Sequence, residues 1–134
     1  MPDSNTLSTA RRVTLIGFGE AGEAFARAAG WQGETRAWDL LPKRREAMAA
    51  AAVESGADAA ATLADRAFVL SLVTADQALA AARDYAPLLT DGALWCDMNS
   101  VAPETKREAA AVIEAAGGRY VDVAVMAPVE KGLA

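Results

Sequence analysis

Val13-Thr14-Leu15-Ile16-Gly17-Phe18-Gly19-Glu20-Ala21-Gly22 is the stretch whose reading decides the fold. Four β-branched or aliphatic residues run into glycines spaced G-x-G-x-x-G, and an alanine-rich segment, Ala21 to Ala29, follows at once. A strand, a tight turn and a helix in that order form the loop that holds the pyrophosphate of a dinucleotide. Gly17 permits the turn, Gly19 lets the backbone approach the pyrophosphate, and Gly22 lets the helix pack closely on the strand. Phe18, Glu20 and Ala21 fill the positions between them and belong to the same cofactor loop. The helix start offers N–H groups and the positive end of its dipole to the phosphates.

Moving outward, Asp39 closes the run Thr35-Arg36-Ala37-Trp38, 17 residues after Gly22. An acidic side chain at the end of a second strand accepts hydrogen bonds from the adenosine ribose hydroxyls. Its charge repels a 2′-phosphate, which favours NAD over NADP. Lys43, Arg44 and Arg45 stand just downstream and keep NADP open as a second cofactor. The plainer role for these residues is structural, with Asp39 capping the next helix and the basic residues forming its solvated face.

The rest of the chain alternates two textures. Short apolar runs at Val13 to Gly17, Arg36 to Trp38, Ala67 to Val73, Ala93 to Asp97 and Tyr120 to Val125 predict strands. Alanine-rich stretches at Ala21 to Ala29, Pro42 to Glu54, Ala75 to Tyr85 and Pro103 to Ala116 predict helices. Ala57 to Ala61 is expected as a brief further strand, followed by a small helix at Leu63 to Arg66. Alternation of this kind makes parallel strands with crossover helices, here a doubly wound, mainly parallel six-stranded α/β sheet with helices on both faces. Pro42 and Pro103 suit first helical turns, with Asp39 and Ser100 placed to help cap them. Gly30, Gly56 and Gly117-Gly118 suit helix stops. Residues 1–10 carry no periodic pattern and read as a flexible leader, leaving 11–134 as one domain.

Composition limits what such a domain does. The 134 residues include no histidine and one cysteine, so Ser-His-Asp and Cys-His catalysis, imidazole metal sites and internal disulfides are all excluded. A net charge of −5 argues against nucleic-acid binding, which rests on clustered Lys and Arg. No apolar run approaches the about 20 residues of a membrane span, and the lone Cys96 suits a reducing compartment, so a cytoplasmic location is expected. Alanine supplies roughly a quarter of the residues, and aromatics only 6%.

Two more loops follow strand ends, where ligands bind in open α/β sheets. Val73 and Thr74 are expected along the cofactor. Asn99 and Ser100 carry side chains able to bond a nicotinamide carboxamide or a substrate hydroxyl, or else serve as ordinary turn residues.

Together, the glycine loop, the segment Asp97-Met98-Asn99-Ser100-Val101-Ala102-Pro103 and the segment Tyr120-Val121-Asp122-Val123-Ala124-Val125 resemble the β-hydroxyacid dehydrogenases, the group containing 3-hydroxyisobutyrate and 6-phosphogluconate dehydrogenases. The likeness runs from about Arg12 to about Ala127. It implies a Rossmann-type cofactor domain serving hydride transfer between NAD(P) and a small 3-hydroxy acid. The family's segment after the fifth predicted strand reads Asp, any residue, Ser, Thr, an aliphatic, Ser or Asp, then Pro. Asn99 replaces its first Ser and Ala102 its small polar residue, and the family's contacts with nicotinamide and substrate pass by resemblance to Asn99 and Ser100. After the last strand the family's substrate-carboxylate loop, Ser-Gly-Gly, is departed from; Met126-Ala127-Pro128 stands there and makes Met126 the candidate substrate contact. The family's catalytic lysine comes from a helical second domain, and Lys131 falls too early to match it. No catalytic residue is therefore assigned within these residues. The alternative function is a stand-alone or truncated NAD(P)-binding module without catalysis. Apolar residues near the last strand, Val123, Val125, Met126 and Val129, are expected to be partly uncovered and to make a homodimer feasible.

Overall fold

A computed structural model describes residues 13–29, 35–51 and 53–123. It contains strands β1 (Val13–Ile16), β2 (Arg36–Trp38), β3 (Phe68–Ser71), β4 (Leu94–Asp97) and β5 (Arg119–Asp122). The helices are α1 (Glu20–Ala29), α2 (Pro42–Ala50), α3 (Ala59–Leu63), α4 (Ala78–Tyr85) and α5 (Pro103–Ala115), with 3-10 turns at Ala75–Gln77 and Ala86–Leu88. All strand pairs are parallel and the order is β2-β1-β3-β4-β5. The chain thus winds outward from β1 in one direction and from β3 in the other, the doubly wound topology that leaves a crevice between their carboxyl ends.

Alternation along β1 divides the core. Val13 and Leu15 join Phe18, Ala26, Ala37, Met48 and Val53 on one face. Ile16 joins Leu63, Val69, Tyr85, Trp95 and Ile113 on the other. Alanines of α4 and α5, among them Ala81, Ala82 and Ala109, bring those helices close to the sheet, which suits a core short of large side chains. On the α1 side, Leu70, Leu94 and Cys96 are only half buried and Val121 is exposed, so that face is covered less completely over β3, β4 and β5.

One expected element is not a strand. Ala57 to Ala61 enters α3, whose first turn is capped by the Asp58 carboxylate accepting the Ala61 N–H at 2.8 Å. Three successive alanines favour a helix over a pleated edge once such a cap is available. Among the described residues the sheet therefore has five strands, and a single bridge beside β2 falls at Glu54, outside the expected sixth strand. Glu54 pairs with Arg36, accepting from Ala37 N–H and donating to Thr35 C=O. The small helix expected at Leu63 to Arg66 is also displaced, because α3 ends at Leu63 and Asp65 takes a positive φ of 58°.

Helix ends partly follow the expected punctuation. Gly117 adopts φ 94° just after α5, and the Gly118 N–H returns to Ile113 C=O. α2 stops at Ala50, before Glu54, and Gly56 instead donates its N–H to the Thr62 hydroxyl. Neither Ser100 nor Asp39 caps a helix by side chain; Ala102 and Leu41 are the capping residues. Gly30, residues 1–10, Val125, Met126, Val129 and Lys131 lie outside the described residues.

Candidate functional site

The three glycines do different things. Gly17 has φ 98°, and a β-carbon there would stand 2.5 Å from the Leu72 carbonyl oxygen, so the turn and the β3 loop touch through bare backbone. Its N–H donates to Trp38 C=O at 2.9 Å, tying the turn to β2. A β-carbon on Gly22 would meet the Gly17 carbonyl oxygen at 2.3 Å, which sets how closely α1 follows the turn. Gly19 is the opposite case, because nothing lies within 4 Å of where its β-carbon would be. Its carbonyl accepts the Glu23 N–H and closes the first turn of α1. The helix N–H groups that have no partner inside a helix thus begin at a glycine facing open space, a cradle for an anion.

Asp39 joins this loop to the end of β2. Its Oδ2 accepts the Phe18 N–H at 2.8 Å, and its Oδ1 accepts the Leu41 N–H at 2.9 Å. A carboxylate offers about four acceptor positions, so these two bonds orient it and leave capacity for a ribose diol. The Asp39 carbonyl takes the Arg45 Nη1 at 2.7 Å, and the Arg45 guanidinium lies 4.9 Å from the centroid of the Trp38 ring. Arg45 is therefore committed locally. Arg44 is the member of the basic trio that lines the cleft.

That cleft encloses about 560 Å³ and runs over the carboxyl ends of β1 and β3. Gly17, Gly19, Glu20, Ala21, Asp39, Val73 and Thr74 all line it, so seven of the expected cofactor residues are brought together. Phe18 is fully buried beneath it and contributes its backbone N–H to Asp39. Gly22 lies behind the turn.

Asn99 and Ser100 are placed differently. Asn99 is 6% exposed and lies behind the Val73 wall, its polar atoms engaged by Ser71, Val73 and Asp97. Ser100 is exposed beyond the end of β4. Met126 lies outside the described residues.

Sequence reasoning missed half of the cleft. Leu40 and Leu41, 69% and 59% exposed, form its lip, and Gln77, Ala81, Asp84 and Tyr85 its far wall. The spacing of 77, 81, 84 and 85 is that of one helix face, a signal present in the sequence but shared with any core-facing helix. Burial pushes the Tyr85 hydroxyl above the ordinary tyrosine range. A flat apolar slot ending in a carboxylate suits a base carrying a diol. Among the described residues there is no cluster of three metal-ligating side chains, and no helix is long and apolar enough to cross a membrane.

Residues 12–132 match the family model for the NAD binding domain of 6-phosphogluconate dehydrogenase. A conserved hypothetical protein from Sinorhizobium meliloti is 38% identical, with a TM-score of 0.78 over 89% of this chain and 42% of that one. The conserved protein MTH1747, of unknown function and described as structurally similar to 3-hydroxyacid dehydrogenases, is 30% identical, with a TM-score of 0.74 over 90% of this chain and 45% of that one. The 3-hydroxyisobutyrate dehydrogenase of Mycobacterium tuberculosis shares the fold at 21% identity, with a TM-score of 0.78 over 88% of this chain and 41% of that one. The chain thus spans less than half the length of each of these structures. No curated protein matches it.

Proposed function

This chain belongs to the family of NAD-binding domains of 6-phosphogluconate dehydrogenase, and from that premise we propose that it is the cofactor-binding part of an oxidoreductase acting on a small 3-hydroxy acid. The observation that carries this reading is the division among the glycines. The space beside Gly17 and Gly22 is filled by the backbone of Leu72 and of Gly17, whereas Gly19 opens onto a cleft that ends at the Asp39 carboxylate.

The residues present fit a dinucleotide. Gly19 and the first N–H groups of α1 would take the pyrophosphate, and Asp39 the adenosine ribose. Leu40 and Leu41 on one side and the α4 face on the other would enclose the base. Val73 and Thr74 would border the nicotinamide side. Bound there, the dinucleotide supplies a two-electron hydride carrier, while this chain contributes orientation and a preformed anion site. We assign no proton-transfer group to the described residues. NAD is the expected cofactor because Asp39 opposes a 2′-phosphate; Arg44 in the same cleft is the residue through which NADP would be tolerated. Ser100, exposed after β4, is the candidate on the substrate side.

Titration with NADH and NADPH, following tryptophan fluorescence with Trp38 in the cleft wall, tests the binding claim. Saturation by NADH below millimolar concentration is expected, and Asp39→Ala should erase the preference over NADPH. No response to either nucleotide would overturn the reading. The substrate class is tested separately, by following nicotinamide reduction with NAD and a set of 3-hydroxy acids in a full-length oxidoreductase that carries this cofactor domain; absence of turnover with all of them counts against it.

A further inference from the structure

The carboxyl ends of β1, β3, β4 and β5 lie level, with Ile16, Ser71, Asp97 and Asp122 in one row. Just beyond that row lies a buried polar network. Asp97 is 1% exposed, and its Oδ1 accepts both the Asn99 backbone N–H at 3.0 Å and Asn99 Nδ2 at 2.8 Å. Its Oδ2 accepts the Tyr120 hydroxyl at 2.6 Å. Asn99 Nδ2 also donates to Ser71 Oγ at 3.0 Å, and Asn99 Oδ1 accepts the Val73 N–H at 2.9 Å. Both amide protons and one carbonyl position of Asn99 are therefore committed inside the protein.

Val73 is held from the other side as well. The Leu72 N–H donates to Ile16 C=O at 2.8 Å, and Leu72 carbonyl and Val73 Cγ1 pack where a Gly17 side chain would be. The wall of the cleft at Val73 and Thr74 is thus clamped between the glycine turn and Asn99. Resting on the proposed function of the cleft, we infer that Asn99 is a positioning residue that sets this wall for the dinucleotide through its bond to the Val73 N–H, with Tyr120 and Asp97 fixing the amide's orientation. It does not act by touching cofactor or substrate. An Asn suits the task because one side chain must donate twice and accept once. A serine, with a single O–H donor, cannot donate to both Ser71 and Asp97 while accepting from Val73. Burial gives the network leverage, since a buried N–H left without an acceptor is costly and the segment carrying it moves to find one.

The test compares wild type, Asn99→Ser and Tyr120→Phe by NADH titration and by amide hydrogen exchange. In Asn99→Ser the Val73 amide should lose about tenfold or more of its exchange protection and NADH should bind about tenfold more weakly, while protection of the Leu15 amide in β1 is unchanged. Tyr120→Phe, which keeps the ring and removes one bond two steps away, should show the same pattern at about threefold. Unchanged Val73 protection in both variants would overturn the inference, as would lost protection with unaltered NADH affinity. Should Asn99→Ser fail to fold, Tyr120→Phe decides alone. If wild type binds no nucleotide, the proposed function fails, and the exchange data still show whether Asn99 holds the Val73 wall.

Discussion

Gly17, Gly19 and Gly22 share one motif, yet the surroundings of each predict opposite consequences on substitution. Gly17→Ala puts a β-carbon against the Leu72 carbonyl at a positive φ, and Gly22→Ala puts one against the Gly17 carbonyl. Each should destabilise the fold by about 2–4 kcal/mol, measured by urea unfolding. Gly19→Val meets open space in the free protein. Its unfolding free energy should stay within about 0.5 kcal/mol of wild type, while NADH affinity falls about 100-fold because the side chain occupies the anion cradle. A Gly19→Val protein that is as unstable as Gly17→Ala would show that the cradle is packed in solution. At this scale the glycine motif and Asp39 were legible from spacing, and Val73 and Thr74 from their place after a strand, as residues that share one cleft. The commitment of Asn99 was not, because an Asn after a strand looks the same whether it faces a ligand or holds a backbone N–H 26 residues away.

Between residue and whole fold, the edge of the sheet beside β2 is the informative element. Arg36, at the start of β2, bonds Glu54 through Nε at 3.1 Å and donates through Nη1 to the Ala61 and Ala64 carbonyls at the end of α3. One guanidinium therefore holds both the isolated bridge at Glu54 and the helix that took the place of the expected strand. Arg36→Met should cost about 1–2 kcal/mol in urea unfolding, and the amide of Ala37, which bonds Glu54 C=O, should exchange faster. A cost near zero would indicate that the α3 edge stands on its apolar contacts alone. The sequence pattern could not show this exchange of strand for helix. Alanine runs are ambiguous between a poorly formed edge and a short helix capped by Asp58, and the arginine that anchors the end of that helix stands 25 residues distant.

Across the whole molecule, three neutral groups depend on burial. Cys96 and Tyr85 are raised above their ordinary ranges chiefly by burial, and Tyr120 by burial and then by the Asp97 carboxylate that accepts its hydroxyl. Groups whose folded values exceed their unfolded ones contribute stability that is complete below the unfolded value and is lost as pH rises through the folded one. Urea midpoints should therefore hold steady to about pH 8 and fall between about pH 9 and 11, and Tyr120→Phe should make the fall shallower. A flat profile to pH 11 would mean that these side chains reach water. The doubly wound parallel α/β class, the glycine turn and the carboxylate placed beside it were all determined by sequence, because they depend on local spacing and on residue types with few alternatives. The strand count, the far wall of the cleft and the role of Asn99 were decided only by the tertiary structure. Each of those rests on a partner distant in the chain, and the hydrogen-bonding capacity of a side chain does not say which partner it will meet until the sheet has brought the strand ends level.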